Sequence, residues 1–274
     1  ADSDSDGSDN KRTWCGTRAQ FFELYEITAK HLKEKFPHLK IGGPALAHNE
    51  EWADAFLCEM KKRNVPLDFF SWHIYCTEPC HMVQKAERMR RLLDKYGFEN
   101  TESILNEWNY VKGWTDEYLY SLKTIHGIKG ASFVLSCICQ AQHTSIDMLM
   151  YYDTRPSVFN GIFDFYTYEK LQGYFALYWY GMLYDCEREI PCENSLENIY
   201  SLFGVDKNGK VTVILTYYSD DDTKESKNIS LDFGREGKYE IYRVDSSRNG
   251  ELTEVTDKLS FDMKLFDMIL IKEI

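Results

Sequence analysis

The stretch Leu105-Asn106-Glu107-Trp108-Asn109-Tyr110 sets an ionisable carboxyl directly after the apolar run Ser103-Ile104-Leu105. Glutamate is almost never buried unpaired, so a strand of this character has no packing reason to end on one. A carboxylate at a strand end can serve as a nucleophile, a proton carrier or a charge stabiliser. Two other strand ends are polar in a way their strands are not. "LDFFSWHIY" carries His73 and Tyr75, and "LKIGGPA" ends on Gly42-Gly43-Pro44, where backbone can approach a ligand closely. Catalytic groups of parallel α/β folds gather at the C-terminal ends of the strands, so these three ends are expected to face one pocket. His73 also reads as a core histidine bonded to backbone, and Tyr75 as packing. For Glu107 a structural reading is harder to find.

Elements must alternate regularly to position such groups. Thr17 and Gln20 form a capping box ahead of a helix that places Phe21, Tyr25, Thr28, Leu32 and Phe36 on one face. "LKIGGPA" is then a first strand and "EEWADAFLCEMKKRN" a second helix. "LDFFSWHIY", apolar almost throughout, has the course of a parallel strand covered on both faces. "VQKAERMRRLLDKYG" is its helix, stopped at Gly97, and "ESILNEW" the third strand. "TDEYLYSLKTIHG" reads as a helix capped by Thr115, "GASFVLSC" as the fourth strand and "YEKLQGYFALYWYGMLY" as the closing helix.

Strict alternation dictates a parallel sheet with right-handed crossovers. A doubly wound sheet would carry a glycine-rich phosphate turn, and the sequence has none. A (β/α)8 barrel takes about 250 residues, whereas the α/β pattern here ends near Asp185. Half a barrel is expected over residues 1–190. Beyond Pro191 the pattern changes to short strands, with Asn208-Gly209 and Asn249-Gly250 as hairpin turns and Ser219 to Thr223 as an acidic loop tip. An antiparallel β-sandwich is expected over residues 191–274.

The formal net charge of -12 leaves no basic block to hold nucleic acid or an anionic membrane surface. No run approaches about 18 apolar residues, and the acidic, polar start is unlike a signal peptide. The expectation is a soluble, cytoplasmic protein that takes a neutral ligand. Aromatic side chains, 15% of the chain, suit planar or sugar ligands. Eight cysteines scattered through apolar patterns read as buried free thiols, and Cys76, Cys80 and His81 lack a second pair at zinc-ligand spacing.

In their order and spacing, "GTRAQFFELYEITAKHLKEKFPHLKIGGPA", "LDFFSWHIY" and "ILNEWNY" resemble the second half of glycoside hydrolase family 39, the retaining β-xylosidase and α-L-iduronidase group of clan A. "MYYDTRPSVFNGIFDFYTYEKLQGYFALYWYGMLY" and the terminal β-region are similar to it too, so the resemblance covers nearly the whole chain. It implies a (β/α)8 TIM barrel of which this chain holds strands five to eight, the eighth lying in "ASFVLSCICQAQHTSID". Glu107 would be the nucleophile of an exo-acting, β-xylosidase-like glycosidase, and His73 and Tyr75 would contact the sugar or orient the nucleophile. Trp72, Trp108 and Asn109 would shape the pocket, and Tyr151, Tyr152 and Trp114 are candidate stacking rings. No metal or organic cofactor is implied.

The chain departs from the family in two places. Retaining glycosidases use two carboxyl groups about 5–5.5 Å apart. The family's acid/base glutamate, in an Asn-Glu pair just ahead of a motif like Trp14-Cys15-Gly16-Thr17, has no match here, and Asp2, Asp4, Asp6 and Asp9 read as a solvated loop. An N-terminally truncated enzyme is therefore expected, its open sheet edges partnered by the missing half-barrel or by a second copy. The eighth strand also lacks the acidic residues with which xylosidases hold the sugar, so Gln142 and Asp147 are expected to recognise hydroxyls instead. A catalytically inactive carbohydrate-binding relative, or half of a split enzyme, is the alternative.

Overall fold

The computed structural model describes residues 14–192 and 196–274; Asp2 to Asp9 lie outside them. The chain divides into two compact units interleaved in sequence. The first takes residues up to 75, then 82–108 and 144–152, and the second takes 76–81, 109–143 and 153–274.

In the first unit, α1 (Arg18–Lys35), β1 (Gly42–Leu46), α2 (Glu50–Lys62), β2 (Phe69–Cys76), most of α3 (Pro79–Lys95) and most of β3 (Glu102–Tyr110) follow one another. The next elements, α4 (Tyr118–Ile125) and α5 (Ile128–Ala141), belong to the second unit, and β4 (Met148–Tyr151) returns to the first. The sheet runs β1-β2-β3-β4, with parallel pairing of β1 to β2 and of β3 to β4. The capping box is present, because the Gln20 amide donates to Thr17 Oγ1 and the Thr17 amide donates to Gln20 Oε1. The expected stripe of α1 holds in part: Phe21 and Tyr25 are half-buried against Trp52 and Phe56, but the fully buried residues are Phe22 and Ala29, while Thr28 and Phe36 are exposed. Phe22 meets α2 edge-on, with ring centroids 5.3 Å from Trp52 and 5.6 Å from Phe56. Phe56 in turn lies 6.5 Å from Phe70, so Phe70 faces the α2 side of the sheet.

The expected fourth strand "GASFVLSC" is part of helix α5. A short apolar run cannot be assigned by periodicity when every face is covered, and Ala131 to Cys139 are all buried. Gly130 permits the close approach of α4 and α5, since a Cβ there would stand 2.4 Å from the Thr124 carbonyl oxygen. The fourth strand is instead β4, downstream of the expected one. Helix α4 starts later than expected, with Glu117 at its N-cap and no side-chain cap.

The rest of the second unit comprises α6 (Gln172–Leu183), β5 (Arg188–Glu189), β6 (Ile199–Val205), β7 (Val211–Tyr217), β8 (Lys227–Ser230), β9 (Tyr239–Val244), β10 (Asn249–Thr256), β11 (Ser260–Met263) and β12 (Met268–Glu273). Six strands form a sheet in the order β10-β9-β12-β7-β6-β5, and β11 pairs with β8. Val213, Leu215, Ile241 and Ile271 of the large sheet share one core with Ile229, Phe261 and Met263 of the small one. Asn208-Gly209 turns as expected, Gly209 at φ 80°. The second hairpin instead turns at 245–248, where the Asp245 amide donates to the Arg248 carbonyl at 3.1 Å. Gly250 sits at the bulged start of β10, at φ 88° and against Phe175.

The acidic loop tip is tied down through Asp220 and Asp222, while Asp221, Asp222 and Thr223 stay exposed. Lys129, 8% exposed, lies 2.8 Å from Asp220 Oδ1 and 2.7 Å from Asp222 Oδ1, and Tyr110 donates to Asp220 at 2.7 Å. Of the eight cysteines only Cys76, Cys137 and Cys139 are buried; Cys15, Cys80 and Cys192 are exposed.

Candidate active site

Strand alternation puts Ser71, His73 and Tyr75 on one face of β2 and Trp72 on the other. The register between β3 and β4 carries one extra residue on β3: Leu105 pairs with Leu149, but Trp108 pairs with Tyr151. A bulge of this kind reverses the side-chain alternation beyond it and re-aims the residues downstream. The contacts agree with that reversal. Ser103, before the bulge, accepts from Trp72 Nε1 at 3.0 Å, whereas Glu107, after it, meets Tyr75 and His73 from the opposite face of β2. A second irregularity lies at the end of β1, where Ala45 at φ 62° is the additional residue and its amide donates to Ser71 Oγ at 2.9 Å.

Around the carboxyl, the Tyr75 hydroxyl donates to Glu107 Oε1. His73 Nδ1 stands 3.7 Å from Oε2, an ion-pair distance beyond hydrogen-bond length. The side chains of His73 and Glu107 are 18% and 28% exposed, so the carboxyl is reachable from solvent. Lys85, only 6% exposed, donates to the carbonyls of His73 at 2.8 Å and Ala47 at 2.7 Å. A buried ammonium is tolerated only when it is hydrogen-bonded in this way, and here it fixes the β2 backbone at His73. Sequence reasoning missed Lys85. The available signal was its place beside Met82, Ala86 and Met89 on the buried stripe of α3.

The ring that joins the Glu107 cluster is Tyr152, edge-on to Tyr75 at 6.4 Å. Tyr151 goes to the other side, edge-on to Trp108 at 5.6 Å. Trp108 and Trp72 are both buried, at 2% and 0% exposed, as packing residues. Asp147 precedes β4 and is bound to the start of β3: its Oδ2 accepts from the Ser103 amide at 2.7 Å and its own amide donates to the Ser103 carbonyl at 2.9 Å. Because both residues lie where their strands begin, Asp147 is at the opposite end of the sheet from Glu107. Gln142 lies in the second unit as the C-cap of α5, where it accepts from the Tyr180 hydroxyl at 3.0 Å. Asn109 also belongs to the second unit; its Nδ2 donates to the Phe159 carbonyl at 3.0 Å. Cavities of about 650 and 560 Å³ within the second unit are lined by neither Glu107 nor Tyr75.

The cluster is thus a partly accessible carboxylate with one oxygen engaged by a phenol and the other directed toward an imidazole. That arrangement suits attack by Oε2 on an electrophilic carbon, with Tyr75 fixing the carboxylate plane.

Comparison with known proteins adds three likenesses. Over 111 residues the chain is 42% identical to a β-xylosidase of Geobacillus stearothermophilus, a match covering 34% of this chain and 22% of that protein. It shares a fold with a glucosidase from Croceicoccus marinus (TM-score 0.75, 22% identity, 97% of this chain and 66% of that one). The same holds for a GH39 enzyme from Xanthomonas axonopodis pv. citri (TM-score 0.74, 16% identity, 96% and 66%). The chain therefore spans only part of the length of the relatives it matches. Residues 7–148, more than half of the chain and including β1 to β3, match the model of glycosyl hydrolases family 39, and the chain belongs to that family.

Proposed function

We propose that this chain carries the nucleophile of a retaining, β-xylosidase-like glycoside hydrolase. Glu107 Oε2 attacks the anomeric carbon, the bond to the leaving oxygen breaks with its electron pair, and a glycosyl ester of Glu107 forms; water then hydrolyses it. Tyr75 holds Oε1 so that Oε2 points at the sugar, and His73 lines the pocket beside it. Within this reading residues 1–190 supply strands five to eight of a (β/α)8 barrel and residues 191–274 a β-sandwich. The outer edges of β1 and β4 take the remaining barrel strands or a second copy. The acid/base carboxyl is supplied from outside these 274 residues. The substrate is a neutral carbohydrate, in keeping with the net charge of -12.

The single observation that carries the reading is the Tyr75–Glu107 hydrogen bond at a bulged strand end. A leaving group that departs as a stable anion needs no proton, so the nucleophile alone suffices for the first step. With 2,4-dinitrophenyl β-xyloside, the chain should release a burst of about one dinitrophenolate per molecule, and Glu107→Gln none. Sugar binding without a burst would favour an inactive carbohydrate-binding relative instead.

A further inference from the structure

The large sheet of the second unit has six strands, and the layer that shares its core has two. Neighbouring strands lie about 4.8 Å apart, so the small layer leaves part of the inner face uncovered. The cavity of about 650 Å³ lies there. Ile199, Phe203 and Val205 of β6 and Leu215 of β7 line it from the sheet, and Leu231 and Phe233 line it from the segment after β8. Strand alternation sends Leu202 and Gly204 to the opposite face, where they line the 560 Å³ cavity. An unfilled apolar hollow forfeits contacts along its walls, and water inside it finds few hydrogen-bond partners. Its volume falls in the range of small-molecule sites, about 300–1,000 Å³.

Three charged side chains line this cavity, Arg188, Asp232 and Arg235. Arg235 is already neutralised, since its Nη2 donates to Glu273 Oε2 and, at 2.7 Å, to the Gly209 carbonyl. Asp232 Oδ1 accepts from the Gly234 amide at 2.7 Å and closes a turn. Arg188 forms no ion pair among the described residues. It belongs to β5, the outermost strand, and it lines the 560 Å³ cavity too, which sets it at the edge of the sheet. From there its stem can lie along apolar surface while the guanidinium stays in water. Two arginines against one aspartate give the lining an excess positive charge in a chain of net charge -12.

We propose that this cleft binds a single-chain amphiphilic anion, a medium-chain fatty carboxylate, with its alkyl chain between β6 and the segment after β8 and its carboxylate on Arg188. The apolar walls account for the chain and the unpaired guanidinium for the head group. A sugar needs partners for its hydroxyls, and walls of Ile, Val, Leu and Phe carbon supply none. A cationic amphiphile would bring a like charge to Arg188. The cleft uses no residue of the glycosidase reading, so either can fail without the other.

The test is calorimetric titration of the whole chain with decanoate, kept below the concentration at which it forms micelles. Saturable binding of one decanoate per chain is expected. Each buried methylene contributes about fourfold in affinity, so octanoate, two methylenes shorter, should bind at least about fivefold more weakly. Arg188→Gln should weaken decanoate about fivefold and uncharged decanol less than about twofold. Ser201 lines the cleft, and Ser201→Phe, which puts a ring into it, should abolish binding of both while a circular-dichroism melt shows the fold intact. Should that variant fail to fold, Arg188→Gln at the exposed edge still decides. Overturning results are no saturable decanoate binding, decyltrimethylammonium bound as tightly as decanoate, affinity of Arg188→Gln for decanoate within twofold of its parent, or displacement of decanoate by xylohexaose, which would make the cleft a carbohydrate site.

Discussion

Removing one oxygen atom from Tyr75 isolates its bond to Glu107. The Tyr75→Phe side chain keeps the ring, and with it the edge-on contact to Tyr152 at 6.4 Å, so the fold around β2 should stand. A hydrogen bond to a charged group contributes about 1.5–3 kcal/mol. Glu107 is 28% exposed, and water replaces part of what is lost, which puts the expected loss near the lower end, about 1.5–2 kcal/mol. At about 1.4 kcal/mol per decade, Glu107 should react roughly 10- to 30-fold more slowly. The assay is the rate of covalent inactivation by 2,4-dinitrophenyl 2-deoxy-2-fluoro-β-xyloside, read as intact mass after acid quenching. His73 stands 3.7 Å from Oε2, beyond hydrogen-bond reach, so His73→Ala should slow the same reaction less than Tyr75→Phe does. A Tyr75→Phe rate within twofold of the parent, or a larger effect at His73, would refute the idea that Tyr75 fixes the carboxylate.

Three further outcomes are expected from the packing. Burial acts to lower the Lys129 pKa, but Asp220 and Asp222 outweigh it and hold the ammonium above the ordinary lysine range; Lys129→Met leaves Asp220 with only the more distant Lys112, 4.0 Å away. With Asp222 57% exposed, the cost should be about 2–3 kcal/mol, below the figure for a fully buried pair, and calorimetry should show Tm falling by about 2–4 °C per kcal/mol. Gly130→Ala puts a Cβ against the backbone of Thr124 and Ile125, so urea titration should show a loss of about 2 kcal/mol despite alanine's better helix propensity; a gain would contradict the close approach. Burial raises the Asp267 carboxyl above the usual aspartate range, so its contribution to stability is intact below the unfolded-state value and is lost as pH rises through the folded one. Asp267→Asn, which keeps an acceptor for the Lys264 amide, should therefore gain on the parent between acid and neutral pH in melts across that range, and a constant difference would count against the assignment.

Glu107, His73 and Tyr75 are legible in the sequence because polar groups stand out at the ends of apolar strands. The capping box of α1 is legible because its two partners are close in sequence. The features that stay hidden depend on a partner strand. The bulge that sends Ser103 and Glu107 to opposite faces exists only in the pairing of β3 with β4, and one residue of phase decides that Tyr152, not Tyr151, sits beside Tyr75. Asp147 resembles a ligand for hydroxyls because it adjoins a strand; it adjoins the beginning of that strand, where the Ser103 amide claims it. Helix α5 reads as a strand because a segment buried on all sides loses the periodicity that separates the two. Lys85 lies on the buried stripe of α3, but the carbonyls it serves come from β2 and from the residue after β1, so its purpose is hidden in the sequence.

Everything proposed about the chemistry turns on which atom bonds to the sugar. Peptide mapping after reaction with the 2-fluoro xyloside tests it directly: the fluoroxylosyl mass should sit on Glu107 in stoichiometric amount and vanish in Glu107→Gln. A label on any other side chain, or equal labelling of Glu107→Gln, would contradict the nucleophile assignment.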